Sequence, residues 1–309
     1  MNAAHSSGKC LLSIVIPAYN YAGPLERAVG SVIGQMGEDC ELIAIDDGST
    51  DETSEVLARV AGAAPPGCRF IRQDNAGPAA ARNHGLRLSS GEYVLFLDAD
   101  DELLPGAVDA IRSAAARHPE VGLILGAHID RTPDGRETRV EPTPIRGDSV
   151  QRLGDYLLRK RISIMHGACV FRRDLVERRP YPEHLRQTED IPVFAYLVVH
   201  AVPLLLDTPL ARIYKHPGSL RHDSVRAREA HATLVDEVFS ALPDECRVLR
   251  SAYETSRIFS VFRICSRASD LEGGLRYYRM ALAADWRRAL RWKYLGKYLR
   301  LRWCSGRHR

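Results

Sequence analysis

Four carboxylates crowd one short stretch of the chain: Asp98, Asp100, Asp101 and Glu102 in GEYVLFLDADDE. Like charges so close repel one another unless a cation stands among them. A hard divalent cation, Mn2+ or Mg2+, suits such a stretch, because it takes one or two protein carboxylates and fills its other positions with water and phosphate oxygens. A solvated acidic turn capping the next helix uses the same residues, and on this stretch alone both readings stand. Upstream, Asp46, Asp47 and Ser49 occur in AIDDGSTDET. A carboxylate there can accept from a base N–H and the Ser49 hydroxyl can reach a ribose, although turn and cap chemistry would use the same residue types. Tyr19 with Asn20, and Asp74 with Asn75, are two further polar pairs, and Arg82 can pair with phosphate or brace carboxylates.

The elements that must hold these residues alternate. Leu11 to Ile16 reads as an apolar strand ended by Pro17, followed by a helix through Leu25, Val29, Val32, Ile33 and Met36. Glu41 to Ile45 is a second strand, and Ser49 or Thr50 can cap the helix carrying Val56, Leu57 and Val60. Arg69 to Arg72 is a third, and Ala79 to Leu88 a helix. Tyr93 to Leu97 is a continuous apolar run, as expected for a strand buried on both faces. Pro105 opens a further helix to Arg117, and Val121 to Ala127 is another strand. This alternation predicts an α/β fold with a doubly wound, mainly parallel sheet. Its strand ends share one edge, so the polar clusters at Tyr19, Asp46, Asn75 and Asp98 converge there.

Composition sets the class. The chain has 309 residues, 45% hydrophobic and 27% charged, as in an ordinary globular protein. Its 43 Lys and Arg against 39 Asp and Glu leave a formal net charge of +4, too little to argue for nucleic acid. Seven scattered cysteines without a C-x-x-C pair suggest reduced thiols rather than a zinc site or disulfide framework. No signal-peptide core and no long apolar run is present, so the expected location is cytoplasmic, or peripheral on the inner face of the cytoplasmic membrane.

Taken together, IVIPAYN, ELIAIDDGSTDET, QDNAGPAAARNHGL and GEYVLFLDADDELLP resemble the family 2 glycosyltransferases of GT-A fold, with four motifs in order. The resemblance covers about residues 10 to 220 and continues through HGACVFRRDLVE, TEDI and YKHPGSL. It implies a GT-A domain over 10–220, with a nucleotide-sugar half at 10–105 and an acceptor half at 106–220, between an N-terminal tail (1–9) and a helical region at 221–309. It also implies a metal-dependent, inverting transfer of a sugar from a nucleoside diphosphate, most often UDP, to a glycan or lipid-linked acceptor.

The family pattern suggests roles. Pro17, Tyr19 and Asp47 fall in the nucleotide pocket, with Asp46 at a more variable position. Arg82 matches the arginine after the glycine-containing loop, and Asp98, Ala99 and Asp100 the D-x-D motif, with Asp100 on the metal and Asp98 towards ribose or metal-bound water. In TEDI, Asp190 matches the general base and Glu189 its acidic neighbour, although Asp190 or Thr188 could also cap a helix near Pro192. Many relatives carry an aromatic residue after this acidic pair, where the chain has Ile191 and Pro192. His216, in HPGS with Ser219, resembles an H-x-x-S element that touches metal or diphosphate; alone it would read as a surface-loop histidine. His166 is expected on the acceptor-side wall or in a structural role.

Beyond Arg221 helical periodicity dominates. From Trp286 to Arg309 the chain carries nine Lys and Arg besides Trp292, Leu295, Leu299 and Trp303 on one helical face, and no acidic residue. Such a helix can lie on an anionic membrane surface or pack on the domain with an Arg-rich outer face. A phosphatase D-x-D-x-T motif fails at Glu102, and a nucleotidyltransferase lacks its Gly-rich loop after the first strand. A non-catalytic sugar-nucleotide scaffold in a glycan assembly remains the alternative, and the intact TEDI and DADD argue against it.

Overall fold

The computed structural model describes residues 10–216 and 224–306. Its strands are β1 (Leu12–Ala18), β2 (Cys40–Asp46), β3 (Cys68–Arg72), β4 (Tyr93–Phe96), β5 (Glu102–Leu103), β6 (Leu123–Arg131), β7 (Glu137–Val140), β8 (Cys169–Arg172) and β9 (Pro203–Tyr214). The helices are α1 (Ala22–Ile33), α2 (Thr53–Ala61), α3 (Pro78–Leu88), α4 (Ala107–Arg117), α5 (Ser149–Gly154), α6 (Arg173–Arg178), α7 (Asp190–His200), α8 (Ser224–Ser240), α9 (Arg250–Arg267), α10 (Leu271–Ala284), α11 (Trp286–Ala289) and α12 (Trp292–Gly306). A π-turn at Asp155–Arg159 follows α5. The chain divides into two compact units, one of Met1–Arg146, Arg161–Glu183 and His200–His216, the other of Gly147–Lys160, His184–Val199 and Pro217–Arg309.

The first unit holds one sheet in the order β3-β2-β1-β4-β8-β6-β9-β5, with β7 beside β6. Strands β1 to β4 are parallel, as the strand–helix alternation predicts. From there the sheet is mixed rather than mainly parallel: β8 runs antiparallel to both β4 and β6, and β5 antiparallel to β9. The reversal follows from strands too short to signal direction in sequence, such as the four residues of β8. Apolar side chains on the inner strands are fully buried, and α1 lays Leu25, Ala28, Val29 and Val32 into the same core at helical spacing.

Pro17 lies inside β1 rather than ending it, paired in register with Ile45. Val15 accepts from Leu97 N, whereas Ala18 accepts from Asp47 N, so alternate residues face opposite neighbours. Pro17 thus faces β4 beyond the last paired residue there, where its missing N–H costs no ladder bond. Helix α3 sits tightly on β1, since a Cβ on Gly85 would stand 2.2 Å from Val15 Cγ1. That contact fixes the helix that carries Arg82.

In the second unit α9, α10, α11 and α12 build a core that includes Ile258, Phe259, Val261, Phe262, Cys265, Tyr277, Tyr278, Ala289, Tyr294 and Leu301. Burying each phenylalanine contributes about 1.5–3 kcal/mol. The basic C-terminal helix packs one face on its own unit and leaves the other exposed. Tyr294 and Leu301 are buried and Tyr298 stacks on Tyr278 at 4.2 Å, while Trp292 and Trp303 on the opposite face are 77% and 69% exposed. Among the described residues no helix is long and apolar enough to cross a membrane, and the six described cysteines are free thiols.

Candidate active site

The order β3-β2-β1-β4 places the chain's reversal of direction across the sheet between β1 and β4, where open α/β sheets take their ligands. The loops after β1, β2 and β4 meet there. Asn20, in the left-handed region at φ 57, donates its N–H to Ser49 Oγ (3.0 Å) and accepts from Thr50 N (2.8 Å). Asp51 accepts from Ala22 N and Thr53 N, at the starts of α1 and α2. The N-cap of α2 is Glu52, not Ser49 or Thr50, and no side chain caps it; Asp51 takes the N–H of the first helical residue instead.

Asp46 and Asp47 are buried, and both hold loops. Asp46 accepts from Ser49 N (2.9 Å) and Ser54 Oγ and pairs with Arg72 at 3.3 Å. Burial pushes its carboxyl up, yet the Ser49 and Ser54 hydrogen bonds outweigh it and the pKa lies below the usual range. Asp47 accepts from Gln73 Nε2 (2.7 Å), Ala76 N (2.9 Å) and Gly77 N (2.8 Å), and Asn75 Nδ2 donates to its carbonyl. A carboxylate offers about four lone-pair sites, so one remains for a ligand N–H. Gly48 makes this turn possible: its φ is +71° and a Cβ would stand 2.7 Å from Asn75 N. Tyr19 stands half-exposed at the rim.

The acidic turn after β4 divides into two pairs. Asp98 Oδ1 accepts from Arg82 at 2.9 Å, and that guanidinium, 7% exposed, lies 5.5 Å from the Tyr181 ring. Asp100 Oδ2 lies 2.9 Å from His216 Nε2, and its carbonyl accepts from Arg27. Asp101 and Glu102 turn instead to β9, where Asp101 accepts from Tyr214 N and Glu102 binds Arg212 and the Tyr214 hydroxyl. None of the four caps α4, whose N-cap is Gly106. Burial and then Asp98 raise the pKa of Asp100, and the same causes raise Asp101. The field extends to Tyr21, pushed up to about 12 by burial and by the three aspartates.

This is a site short of positive charge. Among the described residues no three of His, Cys, Asp and Glu converge as a complete metal cage. Asp98 and Asp100 are held instead in separate pairs, one with Arg82 and one with His216. Ala99 is buried between the two carboxylates, and Ser219 lies outside the described residues. His166, buried, bonds Tyr181 Oη through Nε2 (3.0 Å) and meets Phe96 edge-on. Burial and then Arg82 push its pKa down to about 3.

Asp190 opens α7 in the second unit, after Glu189 and after Thr188 at φ 68, a left-handed conformation that is costly for a β-branched residue. Such strain gathers at functional positions. Within that unit its charge acts on Lys160 and on Tyr253.

The model of the family described as glycosyl transferase family 2 matches residues 13–179, over half of the chain. The chain belongs to this family. The chain is 32% identical over 220 residues to the succinoglycan biosynthesis protein ExoU of Rhizobium meliloti, covering 65% of this chain and 62% of ExoU. The chain spans less than two thirds of the curated relatives it matches, 41% and 30% in two others. Among solved structures it is similar to S. aureus TarS 1-349 in complex with UDP-GlcNAc, with TM-score 0.57 and 18% identity over 97% of this chain and 92% of that one. The mannosyltransferase PcManGT from Pyrobaculum calidifontis, in complex with GDP-Man and Mn2+, gives TM-score 0.54 at 17% identity over 96% and 85%. At these identities the likeness is one of fold, and it supports the GT-A class.

Several side chains of this glycosyltransferase site carry no sequence signal of their own. Tyr181 braces Arg82 from the far side of the sheet, its backbone fixed by Asn83, which donates to Tyr181 O (2.8 Å) and accepts from Tyr181 N (2.9 Å). Arg27 stacks 3.8 Å from the Tyr214 ring centroid. These partners lie far apart in sequence; Arg27 meets Tyr214 because β5, antiparallel to β9, packs against α1. Tyr21, one residue past the polar pair at 19–20, could have been found by extending that motif.

Proposed function

We propose that the chain is an inverting, metal-dependent glycosyltransferase that moves a sugar from a nucleoside diphosphate, UDP first among candidates, to a hydroxyl of a glycan or lipid-linked acceptor. The observation that carries this reading is the pairing of Asp98 with Arg82 and of Asp100 with His216 at the sheet's switch point. The nucleotide complexes of TarS and PcManGT support the donor class, and ExoU's name supports cell-surface polysaccharide synthesis.

In this reading Asp47 offers its remaining lone pair to a base N–H, and Pro17, Tyr19, Asp46, Ser49 and Asn75 shape the pocket around base and ribose. Asp100, with Asp98 and His216, holds Mn2+ or Mg2+, which when bound disperses charge on the diphosphate. Asp190 takes the proton from the acceptor hydroxyl as its oxygen bonds to the anomeric carbon, with Glu189 beside it. The bond from that carbon to the diphosphate breaks, its electron pair leaves with the diphosphate, and the configuration inverts. No protein acid is needed at the leaving group.

Calorimetry with UDP, GDP and dTDP, with and without Mn2+, on the wild type and Asp100→Ala tests the donor half. Binding of one nucleotide that needs both metal and Asp100 is expected; metal-independent binding or none overturns it. Loss of transfer in Asp190→Asn tests the acceptor half, and retained turnover overturns the base assignment.

The exposed face of Trp292, Leu299 and Trp303, flanked by Lys293, Arg300 and Arg302, supports contact with an anionic membrane surface on the cytoplasmic side. Co-sedimentation with phosphatidylglycerol vesicles, lost in Trp292→Ser/Trp303→Ser, is expected; equal sedimentation of the variant sinks this contact.

A further inference from the structure

Arginines in this protein are widely paired with carboxylates, but three cations of the second unit are not. Lys160 ends the π-turn at φ 55, and α9 packs against that turn. Helix α9 buries Ile258, Phe259, Val261, Phe262 and Cys265 on one face. At 100° per residue, Arg257 and Arg263 lie on the other face together with Tyr253, Ser256 and Ser260. Among the described residues Arg263 donates to Ser260 Oγ at 3.2 Å, Lys160 stands 5.9 Å from the Tyr156 ring, and none of the three cations bonds a carboxylate. Nε of Arg257 and of Arg263 is buried without an acceptor.

Two neighbours are in the same condition. Tyr253, 1% exposed, has a hydroxyl without a partner, as has Nδ1 of His231. Arg257 acts on both rings and, with Arg263, on Lys160, whose pKa is lowered by burial first and by these two charges next. Buried donors left without acceptors are costly, so a cluster of them points to a ligand that satisfies it. Asp190 and, at His231, Glu254 reach the group electrostatically, but two carboxylates do not balance three cations.

We propose that Lys160, Arg257 and Arg263, with the Tyr253 hydroxyl, form an anion subsite beside Asp190 that takes a phosphate or diphosphate group carried by the acceptor. Guanidinium forks match phosphate oxygens two at a time, and three cations suit a group of two or more charges better than a single carboxylate. Such a subsite would anchor the acceptor near its reacting hydroxyl. This rests on Asp190 being the base. The phosphate belongs either to a lipid diphosphate that carries the glycan or to the glycan itself.

The test is calorimetry of the full chain with inorganic pyrophosphate in excess EDTA, which removes the divalent metal of the donor site. Wild type and Asp100→Ala are expected to bind alike, and Lys160→Met and Arg257→Gln/Arg263→Gln to bind at least about tenfold more weakly. The doubly conservative Arg257→Lys/Arg263→Lys should recover part of the loss, which a folding defect would not show. UDP binding with Mn2+ should be unchanged in Lys160→Met and lost in Asp100→Ala, so the donor reading and this one fail separately. Pyrophosphate binding unaltered by Lys160→Met and by the arginine pair overturns the subsite. Parallel loss of UDP–Mn2+ binding in Lys160→Met also overturns it, since the cations would then serve the donor. Geranylgeranyl diphosphate binding more tightly than pyrophosphate indicates the lipid-linked source, and equal binding the glycan phosphate; both support the subsite.

Discussion

His216 Nε2 stands 2.9 Å from Asp100 Oδ2, and two residues earlier the backbone N–H of Tyr214 stands 2.9 Å from Asp101 Oδ1. The end of β9 is thereby fastened twice to the turn after β4. His216 can then report on Asp100 without disturbing the fold, because Tyr214 keeps the strand in place. His216→Ala is expected to weaken Mn2+-dependent nucleotide binding about tenfold, the effect of losing one metal or phosphate ligand. Calorimetry alongside a melting curve checks it: an unchanged affinity removes His216 from the donor site, and a lowered melting temperature would instead make it structural.

Arg82 is 7% exposed and Asp98 40% exposed, so the pair is lopsided. Taking away the carboxylate leaves a buried cation with less compensation, at a cost of about 1–3 kcal/mol. Asp98→Asn should lower the urea midpoint accordingly, and a Tyr181→Leu/Asp98→Asn cycle should be non-additive because the Tyr181 ring and the Asp98 carboxylate both touch Arg82. Additive losses would show that Arg82 does not couple them.

His166 makes stability depend on pH in a definite direction. Its folded pKa, pushed down to about 3 by burial and by Arg82, lies below the ordinary 6.5. Between those values the unfolded chain takes up a proton that the folded chain refuses. Stability is therefore full above about pH 6.5 and falls towards pH 3 by about 1.4 kcal/mol per unit. Urea unfolding at pH 7.5, 6 and 5 should show a steeper fall for wild type than for His166→Gln; parallel falls would contradict a neutral, buried imidazole.

Gly48→Ala places a Cβ 2.7 Å from Asn75 N at φ +71°. The backbone conformation alone costs about 1–2 kcal/mol, and the contact pushes apart the two loops that Asp47 ties together. A lower melting temperature with weakened nucleotide binding is expected, and an unchanged affinity would place the nucleotide elsewhere.

How much of this was legible in sequence depended on whether a residue's partners were near it in the chain. The parallel half could be read because each strand and helix announces itself by period, and Asp98 stands out as a polar residue after a buried run. Only the D-x-D resemblance separates Asp100 from Asp101 in sequence; nothing local shows that the same acidic run serves two partners, His216 for one and β9 for the other. Nor could Pro17 be placed inside β1, since its tolerance depends on where β4 stops. Nor did periodicity tell which side of the C-terminal helix packs: Tyr294 and Leu301 turn inward and Trp292 and Trp303 outward from the same helix.

The unit that holds Asp190 is drawn from three separate stretches, Gly147–Lys160, His184–Val199 and Pro217–Arg309. Evolution and engineering therefore meet a constraint that a linear map of the chain conceals. A chimera exchanging only the last stretch would inherit Arg257 and Arg263 from one parent, and Lys160 and Asp190 from the other. Grafting an intact acceptor preference calls for moving all three inheritances together, in one step.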